Sequence, residues 1–177
     1  IQAKVDEITQ DNMVKIAQVK EMREQVQTTA IAVRNVILIT EADGIAAEAK
    51  RIEKARADYD VESKALTSMV KSDAGKALLA KMEEARSTTR PLTNKAIELG
   101  AANKNAEAIQ VVLKEVRPNQ RKWLEALDEM VEFQNKATQK DVEEASAAYA
   151  SARVLVLSIA SAALLLGVAI AWFITRS

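Results

Sequence analysis

The sequence predicts an all-α protein, an antiparallel up-down four-helix bundle whose last helix continues into a transmembrane helix. Three observations predict it. Ala, Glu, Lys and Leu dominate, and aromatics make up only 3% of the 177 residues, a composition that favours long helices over sheets. Four glycines and two prolines punctuate the chain, so turns are few. Residues 154–175, VLVLSIASAALLLGVAIAWFIT, carry no charge; at about 1.5 Å per residue they extend roughly 33 Å, enough to cross a bilayer core.

The elements follow in order from the glycines. Gly44 lies in TEADGIAA, Gly75 in KSDAGKAL and Gly100 in IELGAANKN, each beside Asp, Asn or Ser. That is helix-stop and helix-start chemistry. The expected helices are therefore 1–42, 45–70, 76–101 and 105–152. Each carries an apolar seam on 3–4 spacing. The first places Ile16, Val19, Val26, Ala30, Val33 and Ile37 there. The second places Ile45, Ile52, Ala55, Tyr59, Leu66 and Met69. The third has Leu78, Met82, Ala85, Thr89, Leu92, Ala96 and Leu99. The fourth has Ile109, Val112, Val116, Asn119, Trp123, Ala126, Met130 and Phe133.

The first and last helices outrun the hairpin between them, so both should descend together toward a membrane. The expected division is 1–152 as an extramembrane ligand-sensing bundle and 153–177 as a membrane helix with the start of a cytoplasmic linker. Arg153 and Arg176 bracket the apolar segment, and Trp172 and Phe173 sit near its second boundary as interfacial aromatics do. Ala163, Gly167 and Ala171 form a small-residue stripe suited to packing on another membrane helix. A buried core helix is the alternative reading. The chain opens on Ile1, and a preceding membrane helix is expected.

Composition narrows the function. Basic and acidic residues balance at 25 each, which leaves no bulk basic surface for nucleic acid. Cys and His are both absent, so disulfides, thiol nucleophiles and His/Cys zinc sites are excluded and the commonest general base is missing. No carboxylate pair stands apart from the solvated helix faces. Neither an enzyme, a metal site nor a cofactor is expected.

One feature runs against plain bundle packing. Two Arg-Pro steps, Arg90-Pro91 and Arg117-Pro118, interrupt otherwise helical stretches. Counted down from the tip that carries Gly44 and Gly100, Ala30, Tyr59, Thr89 and Asn119 all fall roughly 18–22 Å below it. They form one layer, a small residue facing three polar ones. Arg56, Arg90 and Arg117 flank the layer, with Arg34 and Arg121 about a turn away. A buried polar layer without partners costs several kcal/mol, roughly 2–7 per group, unless water or a ligand satisfies it. Surrounding arginines select an anion, since guanidinium takes carboxylate bidentately. The expected ligand-binding set is Arg34, Arg56, Tyr59, Thr89, Arg90, Arg117, Asn119 and Arg121. The alternative is a hydrated layer whose arginines pair with surface glutamates.

With its terminal apolar segment, the pattern resembles the periplasmic four-helix-bundle sensor domain of bacterial methyl-accepting chemotaxis receptors. The resemblance rests on AVRNVIL (32–38), EARSTTRPLTNKAIEL (84–99), NAEAIQVVLKEVRPNQRKWLEALDEMVEFQN (105–135) and the closing FITRS (173–177). It implies a bacterial inner-membrane protein with 1–152 in the periplasm, forming a homodimer through the first helix. A small organic acid would bind among the helices, with Arg34, Arg90 and Arg117 in contact with it. The fourth helix would shift across the lipid membrane toward a cytoplasmic chemotaxis kinase complex, reached through parts beyond this chain. The same module on a membrane histidine kinase or cyclase is one alternative, and a structural envelope bundle without ligand is another.

Overall fold

The computed structural model describes residues 2–176; Ile1 and Ser177, which fall in the first helix and the terminal FITRS as read from sequence, lie outside them. Four helical rods make up almost all of it. The rod α1 covers 2–38: Gln2–Asp6, a π-helical turn at Glu7–Asn12, then Met13–Leu38. Next come α2, Ala42–Met69, and α3, Asp73–Ala101. The rod α4 is one continuous helix, Asn105–Arg176, with a π-helical turn at Val112–Val116. Neighbours run antiparallel. α1 lies against both α2 and α4 and α3 packs on α4, while α2 and α3 approach each other little along their backbones.

The turns correct the sequence reading. The first helix ends at Leu38, not residue 42, and the first two connections are 39–41 and 70–72; the third, 102–104, falls where the sequence places it. All three glycines lie inside helices. The left-handed residue that ends α3 is Asn103, φ 56°. The Lys104 N–H donates to Leu99 O and the Asn103 N–H to Gly100 O, both at 2.9 Å, the paired bonds of a Schellman stop with Asn in glycine's place. Gly100 acts by closeness instead: a Cβ there would lie 3.1 Å from Ile37 Cγ1 and 3.2 Å from Val36 Cγ1. At the opposite turn Ser72 caps α3, its Oγ accepting from the Gly75 N–H at 3.2 Å.

The core falls into two apolar clusters. Val19, Met22, Leu66, Met82, Leu127 and Met130 anchor the one nearer the apolar segment. Val33, Val36, Ile52, Ala96 and Val111 anchor the one at the tip. The seams read from sequence hold along most of the bundle, but α4 departs at its start. Ile109 is exposed, and Ala108 and Val111 are buried in place of Ile109 and Val112. The cause is the π-turn, which inserts one residue and shifts the buried register by one upstream of it. The π-turn in turn answers Pro118, whose ring would strike the carbonyl of Lys114.

Below the 70–72 turn only α1 and α4 continue. Lys4 joins them, 2.8 Å from Asp141 and 3.0 Å from Glu144. The Asn12 side-chain amide donates to Asp141 at 2.8 Å. These bonds raise the pKa of Lys4 and hold the Asp141 carboxyl below its usual range, Lys4 being the main cause. Farther on, the apolar part of α4 buries nothing against the bundle and is long and apolar enough to cross a membrane. The core-helix alternative therefore fails within this chain.

Candidate functional site

Between the two apolar clusters lies a polar layer built by four sequence segments. From α1 come Gln25, Thr29, Ala30 and Arg34. From α2 come Arg56 and Tyr59, from α3 Thr89, Arg90 and Thr93, and from α4 Arg117, Gln120 and Trp123. Thr89 and Thr93 are buried, and each hydroxyl donates back to its own helix, to Ala85 O at 2.6 Å and to Thr89 O at 2.9 Å. Their hydroxyl oxygens keep accepting capacity toward the layer.

Two small cavities flank the centre. One, of about 30 Å3, opens between α1 and α4 and is lined by Thr29, Arg34, Thr89, Arg117, Gln120 and Trp123. The other, of about 20 Å3, faces the seam of α2 and α3 and is lined by Gln25, Arg56, Tyr59, Arg90, Thr93 and Trp123. Either has room for about one or two waters. Trp123 stands between them. Its indole N–H donates to the Tyr59 hydroxyl at 3.0 Å, and the two rings meet edge to face with centroids 5.1 Å apart. A single aromatic pair thus ties α2 to α4 through the middle of the bundle.

Burial pushes the Tyr59 phenol up to about 12, with the Trp123 bond acting the other way. The fold therefore favours the neutral phenol. That contribution to stability is full below the ordinary value of 10.0 and is lost as pH rises through about 12. In a Tyr149→Phe background, phenolate absorbance should appear near pH 12, together with the alkaline loss of helicity. Ionisation near pH 10 without unfolding would contradict the buried position.

The structure brings together six of the eight residues expected at the site. Arg34, Thr89 and Arg117 line the first cavity, and Arg56, Tyr59 and Arg90 the second. Arg34 and Arg117 are largely solvent-exposed and reach the first cavity from its rim. Asn119 is a correction to the α4 seam: its amide donates to Glu115 O of its own helix at 2.8 Å, and it lies on the outer groove between α3 and α4. Trp123 fills the centre in its stead. Arg121 is exposed and lines neither cavity. Residues the sequence reading passed over are Gln25, Thr29, Gln120, Thr93 and Arg86. Arg86 had a signal, since Arg86, Arg90 and Asn94 recur every four residues on one face of α3.

Arg56 donates to the Asn94 side-chain oxygen at 2.7 Å. Its pKa is lowered by burial first and by the charge of Arg90 second. Arg90 and Arg86 share Asp60, at 2.8 and 3.0 Å, and Arg86 also lies over the Tyr59 ring, 5.6 Å from its centre. Among the described residues no group of three or more Asp or Glu is placed to hold a metal ion.

Four antiparallel helices around a guanidinium-ringed layer, with one helix leaving end-on as an apolar rod, make a four-helix bundle joined to a candidate membrane span. Residues 1–149 match the family described as a four-helix-bundle sensory module for signal transduction, and the chain belongs to that family. No curated protein matches the sequence.

Proposed function

We propose that this bundle is the sensor of a membrane receptor for a small organic anion, a carboxylate, and that α4 carries the signal. One observation carries the reading: Arg34 on α1 and Arg117 on α4 stand at the rim of a cavity shared by the two long helices. At about 30 Å3 the cavity is too small for a carboxylic acid, so a ligand must part α1 from α4 to enter. Ligand affinity then differs between two positions of α4, which is what coupling requires.

Continuity supports transmission, because no break separates Arg117 from the apolar segment. In this reading 1–152 is periplasmic, 153–177 crosses the bacterial inner membrane, and the output is a cytoplasmic kinase complex. Dimerisation through α1 is supported near the tip, where Ile31 and Leu38 stand one heptad apart at 44% and 74% exposure.

The test is thermal melting of the full chain in nanodiscs against mono-, di- and tricarboxylates. A ligand that binds only the folded state raises the midpoint by mass action. A rise of several degrees with at least one acid, cancelled by Arg117→Ala, is the expected result. An unchanged midpoint with every acid would leave the bundle a structural element.

A further inference from the structure

The seam between α2 and α3 holds more positive charge than its partners use. Three guanidinium groups meet there: Arg56 from α2, and Arg86 and Arg90 from successive turns of α3. Like charges four residues apart on a helix repel, and Arg56 adds a third cation close enough for its ionisation to respond to Arg90. Against these stand Asp60, Glu83 at 2.8 Å from Arg86, and Glu53, which acts on Arg56 by charge alone. Arg56 forms no ion pair among those found between the described residues.

The way Asp60 engages the arginines is incomplete. A single oxygen, Oδ1, takes one terminal nitrogen from each of Arg86 and Arg90. Neither contact is the two-point edge that a carboxylate makes with guanidinium. The Nε–H groups of Arg56, Arg86 and Arg90 are all buried without a hydrogen-bond partner. A buried donor left unmade destabilises the fold, and three on one seam are an unspent binding surface. The Asp60 side chain is 45% exposed, so it can swing out to water at little cost.

We propose that Arg56, Arg86 and Arg90 form an anion cradle which Asp60 occupies in the unliganded protein, and that a ligand carboxylate displaces Asp60 from it. The inference deepens the sensor reading and rests on it for the class of ligand. Asp60 is then an internal competitor. It keeps the arginines folded inward in the absence of ligand and weakens ligand binding by the free energy of its own displacement. Tyr59 precedes it in the chain and holds Trp123, so departure of Asp60 is felt at the wall of the α1–α4 cavity.

Asp60→Asn removes the competing charge and keeps the shape. Melting of the full chain in nanodiscs is followed against acetate and, separately, inorganic sulfate at constant ionic strength. The midpoint shift gives a dissociation constant for each. Asp60→Asn should bind acetate about tenfold more tightly than the parent, the worth of one charge-assisted hydrogen bond. Adding Arg86→Gln should cancel the gain. Asp60→Ser, which also lacks the charge, should reproduce it and guards against a folding defect peculiar to one variant.

A gain with acetate and not sulfate supports a carboxylate cradle. A gain with both supports a cradle for anions at large, and a gain with sulfate alone overturns the carboxylate. Equal acetate affinity in Asp60→Asn and parent overturns the displacement. If that equality comes with an Arg117-dependent response to an organic acid, the cradle fails and the sensor reading stands. If acetate binds through the cradle while no organic acid depends on Arg117, the α1–α4 site fails instead.

Discussion

Trp123→Ala should destabilise the bundle by about 3–5 kcal/mol in chemical denaturation, the range for truncating a large buried aromatic. The residue is 7% exposed, lies between the two cavities, and joins α2 to α4 where their backbones scarcely meet. Truncation merges the flanking voids and strips the buried Tyr59 hydroxyl of its donor. Trp123→Phe separates the two losses, because a ring remains while the indole N–H goes; it should cost about 1–1.5 kcal/mol beyond its reduced packing. A cost below about 1 kcal/mol for Trp123→Ala would mean that the layer is held together elsewhere.

Leu165→Arg should raise the free energy of membrane insertion of residues 154–175 by about 2.5–3.5 kcal/mol, the cost of an arginine at the centre of a spanning helix. Leu165 is 68% exposed in the apolar segment of α4, which packs on no other described residue, so no part of the bundle can shelter the charge. A glycosylation-mapping assay of the segment reads the effect directly. Unchanged insertion would mean that the segment does not span the bilayer. Trp172→Ala is the contrast, as it removes an interfacial ring stacked with Arg176 at 4.9 Å and leaves the apolar centre intact.

The bundle was legible because its signals are periodic and long. Seams such as Val19–Val26–Val33 and Met82–Thr89–Ala96 repeat over many turns, and burial follows them. The first two turns were misplaced by a few residues, and the third was placed rightly for the wrong reason, because glycine has two uses that look alike in sequence. Gly100 was read as a stop when its work is to admit Ile37, while Asn103 supplies the left-handed backbone. The start of α4 was misread by one residue because a straight periodicity cannot anticipate an extra residue looped into a π-turn, although Pro118 advertised some disturbance.

The site was legible in depth and less so in direction. Residue counting put Tyr59, Thr89 and their arginines at one level, and the structure gathers them around Trp123. Counting does not say which way a side chain bends. Asn119 turns back to Glu115, and Arg86, a turn nearer the apolar segment, leans over Tyr59. Asp60 drew no notice because an acidic residue on a charged helix face is ordinary until three guanidiniums surround it.

The last rod is 72 residues long, about 108 Å at 1.5 Å per residue, with its only irregular turn near the tip. Between Phe133 and Arg153 nothing in it can absorb a change of length. One residue added there would turn the apolar segment by about 100° relative to the arginine layer, whereas seven would bring it back to within about 20°. For this stretch, spacing is a phase as well as a distance, and whole heptads are the currency in which it can change without rotating the far end.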